Sequence, residues 1–223
     1  MQQKPTVAIL GGTGDLGSGL ARVLAVAGYR VVIGSRAKEK AEEFARELSV
    51  RLGTELEGTD NVGAATSADI VILCVPYSNH DTIVQEIKPV MAGKVLVDAV
   101  VPLIPPKVSV VQLPAGGSPA MVAQRMLGPD VRVAAAFHNV GAKKLQSGER
   151  AECDVLVFAD DASVRQQIVA IANVVATRGI EGGPLANATA AEALTSVLIA
   201  INRRYKVPGA GIAITGLPPA QAE

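Results

Sequence analysis

Gly12-Thr13-Gly14-Asp15-Leu16-Gly17 places glycines at the first, third and sixth positions of a hexapeptide, with Gly11 just before it. That spacing suits a pyrophosphate. Gly12 permits a tight turn, Gly14 leaves the backbone open to close approach, and Gly17 lets a following helix pack closely on a strand. The first amides of that helix, at the positive end of its dipole, then face the phosphates. The same pattern can be a purely structural turn, and context separates the two readings. Here the apolar run Thr6–Leu10 precedes it, and Leu16, Leu20, Val23, Leu24 and Ala27 follow at helical spacing. The hexapeptide therefore reads as a dinucleotide turn between a strand and a helix.

The end of the next strand, Arg30–Gly34, bears on which dinucleotide is bound. An NAD site wants a carboxylate there for the ribose hydroxyls. The chain instead reads Gly34-Ser35-Arg36-Ala37-Lys38-Glu39-Lys40. The Ser35 hydroxyl and the Arg36 and Lys40 cations suit a 2′-phosphate, which favours NADP. Ser35 is also expected to cap the helix that follows.

Catalytic side chains are scarce. His80 falls in the loop Tyr77-Ser78-Asn79-His80-Asp81 and His138 ends the run Val131–Phe137; neither has metal-ligand spacing with a partner. There is no GxSxG elbow and no phosphate-loop lysine, and Arg150 and Glu152 form no recognisable acid–base pair. A dehydrogenase acting on an alcohol needs a tuned proton acceptor beside the hydride path. Its absence points to hydride transfer onto an acceptor already prepared for it, with the protein supplying alignment and water exclusion. His138 is the one possible catalytic side chain, with a surface histidine as the alternative.

Apolar runs alternate with helical patterns, which predicts an α/β fold: a Rossmann-type, doubly wound, mainly parallel sheet. Ala68–Val75 and Gly93–Val101 read as central strands, each closed by a proline, so Val75-Pro76 and Val101-Pro102 could line the ligand edge. Ala37–Leu48 and Pro119–Leu127 read as helices, as does Asp161–Ala176. Thr54–Glu57 reads as a weak strand, and Val131–Phe137 and Cys153–Phe158 as firmer ones. Asn187–Tyr205 reads as one long helix, apolar around most of its circumference from Ala190 to Ile201 and therefore buried in the fold or in a dimer contact. A boundary near Gly148–Cys153 divides the chain into a Rossmann NADP-binding domain, 1–150, and a small C-terminal domain, 151–223, that carries the long buried helix.

Composition sets the class. The 223 residues are 49% hydrophobic, and 21 basic residues balance 21 acidic ones, so no field points to nucleic acid or to an anionic membrane. The polar start, Met1-Gln2-Gln3-Lys4-Pro5, carries no signal-peptide pattern, and Ala188–Ile201 is expected to be too short and too interrupted to span a bilayer. Two cysteines suit buried thiols in a reducing compartment. A cytoplasmic protein is expected.

Taken together, these residues resemble the NADP-dependent reductases of the deazaflavin coenzyme F420, the F420H2:NADP oxidoreductase family. The similarity runs over nearly the whole chain: Val7–Gly17, Val32-Ile33-Gly34-Ser35-Arg36 with Lys40, Gly183-Pro184-Leu185-Ala186-Asn187, and Glu192-Ala193-Leu194-Thr195 with Asn202. The first two stretches are shared with ferric metalloreductases, so the C-terminal ones discriminate. The resemblance implies reversible hydride exchange between nicotinamide C4 and deazaflavin C5. It also implies NADP contacts at Thr13, Gly14, Asp15, Leu16, Ser35, Arg36, Lys40, Val75, Asn79, Val101 and Ala142. His138, Asn139, Val140 and the turn Gly209-Ala210-Gly211 would then neighbour the deazaflavin, with Ala210 small enough for a flat ring. Tyr77, and the lack of a proline in Asn139-Val140-Gly141, depart from some members and concern pocket shape. Arg203, Arg204 and Lys206 read as a solvated helix end, or as partners for the coenzyme's anionic tail. Other functions compatible with the residues are an NADPH-dependent reductase of ferric chelates or flavin, and an NADP sensor without turnover.

Overall fold

The structure, a computed structural model, describes residues 4–217. Met1–Gln3 and residues 218–223 lie outside them. Strands β1 (Val7–Leu10), β2 (Val31–Ser35), β4 (Ile70–Leu73) and β5 (Val95–Asp98) are apolar on both faces because both faces are covered. Alternate residues divide between two cores. Val7, Ile9, Val31, Ile33, Ile70 and Ile72 face one layer, built mainly from α1 (Asp15–Val26), α2 (Lys38–Leu52) and α7 (Ala162–Val175). Ala8, Leu10, Val32, Val71 and Leu73 face the other, from α3 (Asn61–Ser67), α4 (His80–Ile87) and α5 (Pro119–Leu127). That is the doubly wound arrangement.

With β3 (Glu57–Asp60), β6 (Arg132–Ala135), β7 (Ala151–Ala159) and β8 (Ala176–Gly183), one sheet runs in the order β3-β2-β1-β4-β5-β6-β7-β8. Strands β1 to β6 are mutually parallel, β7 is antiparallel to β6, and β8 is parallel to β7. The sheet is therefore continuous across the boundary expected near residue 150. β7 bonds to β6 through the Ala134–Ala159 and Ala135–Phe158 pairs, so its apolar face extends the same core. The third strand begins at Glu57, where that expectation ended. β8 escaped the sequence reading because it is short of β-formers; Gly179 and Gly182 accept the α7 backbone and the Phe158 ring, respectively, against their bare Cα atoms.

The long helix, α8, spans Ala188–Tyr205 but is not buried all round. Ala188, Ala191, Glu192, Ser196 and Leu198 pack inward, while Val197 and Ile201 are 42% and 37% exposed. Only one face meets the chain's own sheet. Leu185–Tyr205 has the length and composition to cross a membrane, contrary to the shorter run expected. Helices packed on a protein core can be equally long and apolar, and Glu192 here turns inward among buried groups.

Candidate functional site

The parallel strands end together. Leu10 pairs with Gly34 and Leu73, and Leu73 pairs with Asp98, which in turn pairs with Ala135. The chain passes from β1 to β2 on one side and returns through β4 on the other, so the switch point lies above β1, where open α/β sheets take their ligands. The candidates before residue 141 lie on the turns that leave these strand ends or in the first turns of the helices that follow, α1 and α2.

The glycine turn sits at the switch point. Gly11, not Gly12, carries the left-handed backbone (φ 76°), and a Cβ there would meet the Cys74 carbonyl oxygen at 2.5 Å. Gly12 is tight for another reason: its Cβ would stand 2.8 Å from the Ile9 carbonyl oxygen. Gly14 is the N-cap of α1 and offers no side chain, so the first-turn amides of α1, beside exposed Thr13 and Asp15, have no side-chain cap. Gly17 is buried against the backbone of Gly11 and Gly12, and Leu16 packs against the core. This is a cradle that fits a pyrophosphate. Gln146 donates to the Asp15 carbonyl and carboxylate, both at 3.1 Å, and so ties α6 (Ala142–Ser147) to the same turn. Ala142 thereby joins the edge from a distant part of the chain.

Ser35 ends β2, and its hydroxyl accepts the Ala37 N–H at 3.3 Å. The N-cap of α2 is Ala37, so Ser35 braces the helix start from two residues outside rather than capping it. Arg36 and Lys40 are exposed and make no hydrogen bond or ion pair among the described residues. Two exposed cations beside a hydroxyl, with no carboxylate in β2, are a donor set that could hold a phosphate. Val75 and Val101 are half-buried beyond β4 and β5, and Asn79 starts the turn into α4.

Beyond β6 the backbone is strained. Phe137 is buried with φ 68°, a left-handed conformation that costs a bulky residue about 1–3 kcal/mol. The kink turns His138 and Asn139 toward α8. Asn139 Nδ2 donates to the Ala191 carbonyl at 2.9 Å and to Thr195 Oγ1 at 3.2 Å, and Thr195 Oγ1 donates to the His138 carbonyl at 2.9 Å. Val140 packs against the core beside them. At the far end of α8, Asn202 accepts the Ala210 N–H at 2.7 Å, which lays the Gly209-Ala210-Gly211 turn against Gly141 and Cys153. A small cleft of about 110 Å³ opens there, flanked by Lys143 and Lys144. A larger one, about 330 Å³, lies at the opposite edge around Lys94 and Arg132, but Lys94 is engaged there with the α3 carbonyls.

His80 is not a loop residue in water. It opens α4, fully buried, with Nε2 at 2.8 Å from Asp98 Oδ2 and Nδ1 at 2.6 Å from Asp81. Burial opposes its charge, but the two carboxylates outweigh burial and hold its pKa up at about 9. Asp98 Oδ1 takes the Val100 N–H at 2.9 Å, so the pair braces the turns after both β4 and β5. His138 is the reverse case: burial drives it down to about 4, against the pull of Asp98. Glu192, on α8, is pushed up to about 8 by burial and then by Asp98. Asp98, His80 and Glu192 were missed as a group. The available signal was a lone acid closing an apolar strand and another inside an apolar helix. Burial also raises both thiols, with Cys153 at about 11, so neither is a ready nucleophile.

Comparison with known proteins bears on the chemistry of this edge. A family model described as NADP oxidoreductase, coenzyme F420-dependent, matches residues 6–102. An F420-dependent NADP reductase from Methanothermobacter thermautotrophicus is 39% identical, over 95% of each chain. One from Methanocaldococcus jannaschii is 38% identical over 95% of this chain and 98% of its own. Among solved structures, a pyrroline-5-carboxylate reductase from Coxiella burnetii shares the fold with a TM-score of 0.58 at 18% identity, covering 80% of this chain and 59% of its own.

Proposed function

The chain belongs to the F420-dependent NADP reductase family, and on that premise we propose that it transfers hydride reversibly between NADP(H) and coenzyme F420. It is an oxidoreductase. With both molecules bound, hydride passes between nicotinamide C4 and deazaflavin C5, and the cofactors supply that reactivity themselves.

The protein's share is binding and alignment. Gly12 to Gly17 hold the pyrophosphate on the uncapped start of α1, and Ser35, Arg36 and Lys40 hold the 2′-phosphate. Val75, Asn79, Val101 and Ala142 flank the nucleotide along the strand ends. His138, Asn139, Val140 and Ala210 bound the deazaflavin side and exclude water there. The observation that carries the NADP assignment is Arg36, exposed and unpaired among the described residues, beside Ser35 where an NAD site needs an acid. The half-exposed apolar face of α8, with Val197, Ile201 and Tyr205, supports a homodimer in which a second copy covers it. The balanced charge, free thiols and soluble cofactors fit a cytoplasmic enzyme.

The test is to mix the purified protein with oxidised deazaflavin and NADPH, with NADH in parallel, and follow the coenzyme's visible band. Rapid bleaching with NADPH and little with NADH is expected. No bleaching while NADPH still binds would overturn the acceptor and leave the nucleotide site standing.

A further inference from the structure

One buried acid, Glu192, has no part in the binding and alignment just described. The Glu192 side chain is 1% exposed, and among the described residues neither of its buried oxygens has a hydrogen-bond partner. His138 Nε2, 4.0 Å away, is buried and unpartnered as well. Two such groups facing each other are costly unless one is a donor and the other an acceptor.

The surroundings say which is which. Asp98 faces Glu192 from the end of β5, His80 from the start of α4, Tyr77 from the turn before it, and His138 from beyond β6. Ser118 and the Ala120 N–H approach from the start of α5 without reaching hydrogen-bond geometry. His80 and the α5 start favour a carboxylate. Burial and Asp98 oppose it and prevail, which leaves Glu192 a neutral acid with an O–H to give. The Asp98 main chain approaches the His138 ring in the same way, short of hydrogen-bond geometry, and with Nε2 buried and unpartnered among the described residues the approach is from the Nδ1 side. Nε2 is then a bare lone pair, and the ring stays neutral because burial holds it so.

We propose that Glu192 is a positioning residue for the hydride-transfer site: as a neutral acid it donates to Nε2 of His138 and fixes that ring as the Nδ1–H tautomer. The separation exceeds a hydrogen bond by about 1 Å, a gap that a small side-chain rotation closes. The bond would complete the set that already pins His138 and Asn139 to α8 through Ala191 and Thr195. Once ionised, Glu192 has no proton to donate and stands beside Asp98, so the ring is released. The kinetic part of this inference rests on the reductase reading; the tautomer part does not.

The experiment compares the full-length protein with Glu192→Gln, which keeps a neutral donor, and Glu192→Leu, which keeps none. The chain has two histidines, so ¹⁵N NMR can assign the His138 ring between pH 6 and 9. In the wild type, Nε2 should appear as a hydrogen-bonded acceptor at pH 7 and lose that signature near pH 8. Gln should keep it throughout, and Leu should lack it. With deazaflavin and NADPH, wild-type kcat should fall about tenfold per pH unit above about pH 8. Glu192→Gln should remove that limb. Leu should lower kcat at pH 7 by about ten- to a hundredfold, and Gln should recover most of the loss. A protonated Nε2 in the wild type, or the same alkaline limb in the Gln variant, would overturn the proposal. If the wild type reduces no deazaflavin, the ring spectrum still decides, and the reductase reading fails separately. If the Leu variant does not fold, the Gln comparison suffices.

Discussion

Alanine at Gly17 would place a methyl group deep inside contact with the Gly11 carbonyl oxygen, 2.8 Å from Gly12 Cα and 3.0 Å from the Gly11 carbonyl carbon. Ordinary contact begins near 3.4 Å, so the glycine turn must withdraw by about 0.6 Å or more. The neighbours are backbone, pinned by the Gly11 and Gly12 N–H bonds to the Gly34 carbonyl, and cannot simply rotate away. Overpacking of this kind costs about 1–3 kcal/mol. The helix preference of alanine over glycine returns about 1 kcal/mol, so the net loss of about 0–2 kcal/mol lowers Tm by roughly 0–8 °C. Binding should suffer more. Displacing even one phosphate-facing amide at the start of α1 costs about 1.5–3 kcal/mol when the acceptor is charged, so NADPH affinity should drop at least tenfold. Alanine at Gly14 is the control. Its methyl would meet only the Gly11 carbonyl oxygen at 3.2 Å, and φ −82° with ψ 173° suits any residue. Gly14→Ala should therefore leave Tm within about 2 °C, a change of about 0.5 kcal/mol, while still weakening NADPH by crowding the pyrophosphate. The assays are thermal unfolding and NADPH titration by fluorescence. Gly17→Ala binding NADPH as tightly as the wild type would refute the reasoning, as would a thermal loss in Gly14→Ala larger than that in Gly17→Ala.

Arg36→Ala should weaken NADPH by about 1.5–3 kcal/mol and leave NADH nearly unchanged; equal losses in paired titrations would remove Arg36 from the 2′-phosphate site. The two histidines should titrate about five units apart by proton NMR, His80 near 9 and His138 near 4; both near the ordinary 6.5 would dissolve the buried cluster. Because the folded value of His80 is raised, its ion pair stabilises fully below about pH 6.5 and is lost as pH rises through about 9. That is a change of about 3 kcal/mol, and Tm scans from pH 6.5 to 9 should show it. Glu192 adds to the same slope up to about pH 8, since its folded form also holds the extra proton. If α8 is a dimer face, Val197→Glu with Ile201→Glu should yield monomers in light scattering while leaving the fold intact, because both side chains are already more than a third exposed. A wild-type monomer at micromolar concentration would end the dimer proposal.

The nucleotide turn could be read without a structure because its parts are neighbours in the chain. Glycine spacing, the strand before it and the helix after it fall within one window, and each is set by local backbone sterics. The doubly wound sheet was readable for a similar reason: strands such as Val7–Leu10 and Ile70–Leu73 are apolar on both faces only if helices cover both. Ser35 and Arg36 took their meaning from their place at a strand end, which is again local.

Other features depend on which distant segments meet. β7 joins the first six strands through an antiparallel pairing that no periodicity announces, so the expected division at residue 150 has a continuous sheet running through it. α8 has the same apolar pattern whether it is buried all round or on one side, and only the sheet's extent decided that Val197 and Ile201 stay exposed. The chemistry of His80, Asp98, His138 and Glu192 is the sharpest case. Each is an ordinary side chain in its own stretch of sequence. Their charge states diverge because packing removes water and sets one carboxylate, Asp98, against all of the other three. Local sterics act over a few residues and can be read from spacing; desolvation and charge coupling act through space and exist only once the chain has folded.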